Sequence, residues 1–460
     1  MTVSGLDLLA SSETAAHATP AQTWIAGGIL VATLVLLATE KVHKTVLVML
    51  AGGVCLLLGQ IWGYFPREEG HHLPVYVRMI EWEVIGIVIG ATVFVEIAAR
   101  SGAFTWVSVK VLKASRGDPF RLLVLLSILT AVFSAFLDNI TAMIIIGSLT
   151  IVACRKLELY PKPFLITEGI MTNVGGLLTL ISSLPNIIIG KAAGISYAQF
   201  VIVTVPYVVV ATAVTMLAAR RMFGKAVAPL ADTQARTRNL TLVNAFDEWE
   251  TVNDRKFFRN SIVAVIAVIL LFAFHGQIPL VRDFGIEVVA LGAAALMMLL
   301  HSDDVERDLD HVEWSLVFFF TGLFTIIGVM DLAGVLSAVG RLLDGLTAGG
   351  GNVALMWLTA GFSSVTDNIP LAAMLARIFG PTTEAAAAVP AAQWWAVVFG
   401  ANLGGNVTPI GSASTVVAVT ILKKNKLKVT FVEFVKIGGV FAGLQLLVAS
   451  AYILLLQRIL

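Results

Sequence analysis

The chain has 460 residues, 58% hydrophobic and only 13% charged, with a mean hydropathy of +0.89 and a formal net charge of +1. A soluble domain carries about a quarter charged residues. The composition therefore excludes a soluble globule and indicates an integral membrane protein of many helices, and the near-zero charge gives no sign of a nucleic-acid partner.

In chain order, residues 1–22 hold no Lys or Arg, unlike the basic start of a secretory signal, and read as an extracytoplasmic tail. Spans follow at 24–39, 45–62 and 83–99, with an amphipathic piece at 104–113. A long apolar segment, 122–153, carries Asp138-Asn139 at its middle. The next segment, 164–190, is broken by Gly175-Gly176 and Pro185, and a span at 197–219 closes the first half. Residues 223–259 form a polar cytoplasmic linker too short for a domain. The second half, 260–460, has spans at 260–275, 285–300 and 315–331, a segment 352–379 with Asp367-Asn368, a broken segment 393–422 and a last span 434–457. The two halves, 23–222 and 260–460, are the predicted transmembrane repeats.

The repeat is visible in the motifs. Asp138-Asn139-Ile-Thr141 is followed 35 residues after Asp138 by Asn173-Val-Gly175-Gly176. Asp367-Asn368 is followed at the same spacing by Asn402-Leu-Gly404-Gly405, and a Thr stands at the same offset in both copies, Thr179 and Thr408. Glu81-Trp82, Gly90 and Gly102 recur as Glu313-Trp314, Gly322 and Gly334. A carboxylate inside an apolar segment points to function, and two matched copies point to one site built from two halves.

Each half contains five crossings plus one segment that reads as a re-entrant hairpin, because 32 residues exceed a single crossing of about 20. An odd number of crossings inverts the second half. With the N-terminus outside, the loops on the inner side hold 23 of the 31 Lys and Arg residues, the bias of cytoplasmic loops. The predicted fold is thus all-α, with two inverted-topology repeats, each having five crossing helices, a re-entrant hairpin and a broken helix. Both termini are extracytoplasmic in this scheme.

Hairpin tips and broken helices expose backbone groups that survive in a membrane only where they line a cavity. The predicted substrate- or ion-binding residues are Asp138, Asn139, Thr141, Asn173, Gly175, Gly176, Thr179, Asp367, Asn368, Asn402, Gly404, Gly405 and Thr408. Asp138 and Asp367 are the candidates for proton coupling, and their competing role is helix capping. Glu96 and Arg100 read as a helix-surface pair, Trp394-Trp395 as interfacial aromatics, and Glu168 as either feeding the site or facing water. His71-His72 reads as a solvated loop, and Cys55 and Cys154 as small hydrophobes. No nucleophile–base constellation or nucleotide signature suggests an enzyme, and no cofactor or metal is expected.

The stretches 134–141, Thr172-Asn-Val-Gly-Gly176, Leu184-Pro-Asn-Ile-Ile-Ile-Gly190, 364–370 and 401–411 resemble the ArsB/NhaD permeases of the ion-transporter superfamily. That group includes arsenite efflux permeases, sodium–proton antiporters and the melanosomal P protein. The resemblance covers nearly the whole chain. It implies a homodimer in the cell inner membrane, a small inorganic solute or ion as cargo, H+ as coupling ion with Na+ as the alternative, and in the arsenite branch a cytoplasmic ATPase subunit. Proton-coupled arsenite or antimonite efflux is the first reading, Na+/H+ antiport the second, and an anion channel the third. Asp138 and Asp367, standing where dicarboxylate carriers of the superfamily have Ser-Asn-Thr tips, weigh against that branch.

Overall fold

The computed structural model describes residues 18–39, 41–65, 74–228, 232–278, 285–302, 304–347, 349–380 and 391–459. Most of the 1–22 tail and His71-His72 lie outside the described residues. Among the described residues all regular structure is helical.

The first half contains α1 (Pro20–Thr39), α2 (Lys44–Ile61), the single turn α3 (Val75–Arg78), α4 (Trp82–Arg100) and α5 (Ala103–Ala114). The apolar segment 122–153 falls into α6 (Pro119–Ser134) and α7 (Asn139–Lys156). After it come α8 (Lys162–Gly175), a 3-10 turn (Leu180–Ser182), α9 (Leu184–Ala192) and α10 (Tyr197–Met222). The linker holds α11 (Thr233–Asn244). The second half contains α12 (Arg255–Phe274), α13 (Ile286–His301), α14 (Val305–Asp310), α15 (Trp314–Leu332), α16 (Val335–Thr347), α17 (Gly351–Ser363), α18 (Asn368–Phe379), α19 (Ala391–Gly404), α20 (Ala413–Lys424) and α21 (Phe431–Ile459). Among the described residues, eight of these helices are long and apolar enough to cross a bilayer. Large apolar side chains such as Leu57, Ile202 and Leu217 are exposed on them, as a lipid solvent permits.

Local chemistry explains the breaks. Asp118 caps α6 with its side chain on the Arg121 amide, and Pro119 opens the helix where no N–H is needed. Pro185 was expected to interrupt the 164–190 segment, but it sits in the first turn of α9 and starts that helix. The break itself lies at 176–183, where the backbone leaves helical geometry. Helix α16, absent from the sequence reading, is the counterpart of α5 at the 232-residue offset that relates Gly102 to Gly334.

The two ends of the α6–α7 segment meet the same linker helix. Asn239 of α11 donates its side-chain amide to the Gly117 carbonyl (3.1 Å), while Arg238 pairs with Glu158 (2.5 Å). The chain therefore leaves this segment on the side where it entered. Glu248, farther along the linker, pairs with Lys110 and Lys113 of α5, and Trp249 packs on Trp106 and Phe258. The hydrogen bonds from those lysines hold the Glu248 carboxyl down at about 2.

The repeat reappears in the packing. Gly90 of α4 lies against the α13 backbone and Gly322 of α15 against the α2 backbone, so each half presses its glycine onto the other. A Cβ at Gly175 would stand 2.3 Å from the Ala131 carbonyl oxygen, and one at Gly404 2.3 Å from that of Ala360. These contacts join α6 to α8 and α17 to α19 at matching positions. The second arms cross over: α7 packs on α20, and α18 on α9.

Two smaller expectations are corrected. Trp394 and Trp395 do not lie at an interface: they are buried against Phe379, Phe200 and Phe399. Arg100 does not pair with Glu96 but reaches the buried Asp308 at 2.5 Å, and Glu96 stands near His311 instead. An ion partner on another helix outweighs an exposed i,i+4 neighbour, which is worth only about 0.2–0.5 kcal/mol.

Gly175→Ala or Gly404→Ala forces a methyl group into a backbone carbonyl. Each is expected to destabilise the protein by about 1–3 kcal/mol. The measurement is the thermal midpoint in detergent, with Gly53→Ala, where nothing lies within 4 Å of the added Cβ, as the near-neutral control.

Candidate functional site

Asp138 and Asp367 do the same local job. Asp138 Oδ1 accepts from the amides of Ile140 (2.9 Å) and Thr141 (3.0 Å), starting α7. Asp367 Oδ1 accepts from the amide of Ile369 (3.1 Å), starting α18. Both are N-caps, the competing role foreseen for them. A cap uses one carboxylate oxygen, and both residues also line a single cavity of about 510 Å³, as do Asn139 and Asn368. The structure thus brings the two tips, one from each half, to one space. The size suits a small solute.

Four helix N-termini open on this cavity. Asp138 and Asp367 mark those of α7 and α18, Ser183 and Leu184 that of α9, and Ser412 and Ala413 that of α20. Each end contributes about half a positive charge. Lys44 adds one positive charge, and its Nζ is 3.4 Å from Asp367 Oδ2. Against them stand three carboxylates, since Glu313 also lines the cavity. With the acids ionised, the sum is close to zero.

The remaining predicted residues are brought together elsewhere, in the seam between hairpin and broken helix. Ser134 donates to the Thr172 carbonyl (2.7 Å) and Ser363 to the Ala401 carbonyl (2.6 Å). Thr179 donates to the Ala135 carbonyl (2.7 Å) and Thr408 to the Ser364 carbonyl (2.6 Å). Every atom in one set lies 229 residues from its partner in the other. Asn173 is buried, its amide nitrogen donating to Asn406 Oδ1 and Ser412 Oγ, both at 2.8 Å. Asn402 is buried and donates to Asn186 Oδ1 (2.8 Å). Asn406 donates in turn to Gln445 (2.9 Å), and Gln445 to Thr215 (2.9 Å).

These asparagines bind one half to the other, and their donors are occupied by protein. Gly175 and Gly404 permit the close approach described above. Gly405 lies against the Gly411 carbonyl, and the Gly176 carbonyl accepts from Ser182 and Asn186, both at 2.6 Å. Thr141 sits in the first turn of α7 without lining the cavity. Glu168 neither lines the cavity nor meets water: it is fully buried, one oxygen accepting from Thr150 (2.7 Å) and the other without a partner.

Sequence reading missed Lys44, Glu313, Ser183 and Ser412 as cavity residues. A signal existed for Glu313, whose repeat partner is Glu81. The two glutamates differ in environment. Glu81 is held by Lys191 of α9 (2.5 Å) and Arg377 of α18 (3.5 Å), whereas Glu313 faces the open cavity. Lys44 had no repeat counterpart to mark it. Both cysteines are buried away from the cavity.

The family described as citrate transporters, CitMHS, matches residues 34–400, and the chain belongs to it, within the ion-transporter superfamily. The chain is 30% identical over 441 residues to the 46 kDa membrane protein of Mycobacterium leprae, covering 93% of this chain and 97% of that one. It is 30% identical over 444 residues, with the same coverages, to the uncharacterized transporter Rv2685 of Mycobacterium tuberculosis. The human P protein is 26% identical over 516 residues, 94% of this chain and 60% of its own. Two solved structures share the fold at 12% identity and a TM-score of 0.58. The Alcanivorax borkumensis YdaH transporter covers 91% of this chain and 98% of its own, and Neisseria gonorrhoeae MtrF covers 92% and 97%. The chain is a multi-pass membrane protein and a secondary transporter of a small solute, not an enzyme.

Asn402→Ala leaves Asn186 Oδ1 without its donor in a buried position. A loss of about 1–3 kcal/mol is expected. It is read as a lower thermal midpoint, while Asn368→Ala, at the cavity wall, leaves the midpoint within a degree or two of the parent.

Proposed function

For a member of this family, we propose proton-coupled efflux of arsenite or antimonite across the inner membrane, the protons being carried at the Asp138/Asp367 tips. The observation that carries this reading is the near-balanced charge of the cavity. Three carboxylates stand against Lys44 and four helix N-termini, so an uncharged hydroxide such as As(OH)₃ meets no net field. Asn368 and Ser183 offer it hydrogen-bonding groups at the cavity wall. With both cysteines remote, the site offers oxygen and nitrogen partners and no thiolate, which favours release over tight capture.

The description of the family names citrate. A bare tricarboxylate would face Asp138, Asp367 and Glu313 together, which weighs against free citrate as cargo. The same clustering of acids favours a second reading, Na+/H+ antiport, in which a cation replaces a proton and the charge sum is unchanged. An anion channel draws no support from a cavity without net positive charge.

The proposed arrangement is two inverted-topology repeats of five crossings, with re-entrant hairpins α6–α7 and α17–α18 and broken helices α8–α9 and α19–α20. It spans 23–222 and 260–460, joined by the cytoplasmic linker 223–259, and both termini are extracytoplasmic. The cavity is lined by 42–44 and Glu313, beside loops assigned to the cytoplasm, while Glu81 is locked by Lys191 and Arg377 on the other side. In this scheme the structure is open inward. A homodimer, and a cytoplasmic ATPase subunit that docks on it, belong to the same proposal.

Two measurements test this. In everted vesicles, the double variant Asp138→Asn/Asp367→Asn is expected to lose proton-driven As(III) accumulation by at least tenfold. Asn keeps both caps, so membrane expression should stay near normal. Sodium-driven dye dequenching without As(III) transport would replace the arsenite reading with antiport, and full As(III) transport in the double variant would remove both acids from coupling. For topology, a Cys at Arg238 is expected to react with an impermeant maleimide in everted vesicles and not in intact cells; the reverse would overturn the inward placement of the linker.

A further inference from the structure

We propose that Lys44 takes Asp367 out of proton traffic by acting as its fixed counter-ion, leaving Asp138 as the acid that carries the coupled proton. This rests on the proton-coupled reading above and divides its labour.

The argument begins from a broken symmetry. Asp138 and Asp367 occupy equivalent places in the repeat, cap equivalent helices and line one cavity. Lys44 Nζ is 3.4 Å from Asp367 Oδ2, and among the described residues no cation pairs with Asp138. Asp138 instead shares the cavity wall with a second acid, Glu313. Lys44 comes from the first turn of α2, whose repeat counterpart is α13, and α13 begins Ile286-Glu287 with Gly285 before it. The second copy of the lysine does not exist, so the first half of the site has a free acid and the second a neutralised one.

The position of Lys44 is built, not incidental. Thr45 Oγ1 donates to the Ser315 carbonyl (2.8 Å), and Gly52 packs on the Gly322 backbone, fixing the start of α2 against α15. The Lys44 ammonium also lies over the Phe319 ring at 5.4 Å. The lysine thus stands on the α2–α15 pair, while Asp367 stands on the tip of α17–α18. The groups facing Asp367 and Asp138 across the cavity are Lys44 and His43 from the start of α2 and Glu313 from α15. Of the two tip aspartates, a proton arriving from solution finds only Asp138 with no ammonium to displace. It binds there, and it leaves from there when the cavity opens on the other side. The Lys44 and Asp367 side chains are 46% and 27% exposed, so removing the lysine exposes a working acid rather than a buried charge.

The test uses the full chain in proteoliposomes with an imposed pH gradient, an internal pH dye, and As(III) or Na+ as cargo. Asp138→Asn is expected to cut proton flux per transported cargo at least tenfold. Asp367→Asn is expected to lower proton flux per cargo at least threefold less than Asp138→Asn does. The diagnostic is Asp138→Asn/Lys44→Gln: with its counter-ion gone, Asp367 accepts the proton, and coupling rises at least threefold over Asp138→Asn alone. Asp138→Asn/Lys44→Arg, which keeps the charge, should not recover. A merely structural lysine would not restore function to an inactive variant. The proposal is overturned if the Lys44→Gln combination, present at parental level and folded by size exclusion, stays as uncoupled as Asp138→Asn. It is equally overturned if Asp367→Asn, and not Asp138→Asn, uncouples. If the parent chain moves no protons with either cargo, the proton-coupled reading itself falls, and the division of labour with it.

Discussion

A bilayer supplies no partner for a backbone N–H or C=O, and this constraint shapes the centre of the molecule. Two hairpins and two broken helices place irregular backbone at 135–138, 176–183, 364–367 and 405–412. The carbonyls of Ala135 and Ser364 at the two tips, and of Thr172 and Ala401 in the helices beside them, are each met by a hydroxyl from the neighbouring element of the same half. The Gly176 and Thr179 carbonyls are met by Ser182 and Asn186. These short polar side chains satisfy irregular backbone that lipid could not.

The same accounting separates polar residues that hold the site from those that can serve a cargo. Asn173 and Asn402 spend their donors across the interface between the halves, and the Asn406–Gln445–Thr215 chain extends that network to α21 and α10. A group so committed can offer a solute little. The groups at the ends of α7 and α18 differ, because capping uses one oxygen of an aspartate and leaves a charge facing the cavity. Capping and solute contact are thus compatible roles of one carboxylate, not alternatives.

Pseudo-symmetry gives a further physical lesson. Equal halves would make two equal sites, yet the environments diverge at Glu81 and Glu313 and at the two aspartates. The ion pairs of Glu81 with Lys191 and Arg377 tie α4 to α9 and α18 on one side. On the other side Glu313 has no such pair, and space is left in its stead.

The sequence by itself determined the class, the order of nearly all helices, the repeat and the two aspartates. Hydropathy over about 20 residues is a local property, and an intramembrane carboxylate is too costly to be accidental. The 35-residue spacing of Asp to Asn even marked which breaks belong together. Local pattern could not tell that Asn173, Asn402, Thr179 and Thr408 turn into the seam, or that Asn139 at the cavity wall is engaged there by Ser134 and Asn173 while Asn368 is left to the cavity, because that choice is made by the packing of α6 on α8 and α17 on α19. Nor could it place Trp394 and Trp395 in the core, or send Arg100 to Asp308, since both depend on helices far away in the chain. Lys44 reads as one more basic residue in a cytoplasmic loop. Only the fold, by setting the start of α2 beside a hairpin tip 323 residues later, makes it the partner of Asp367.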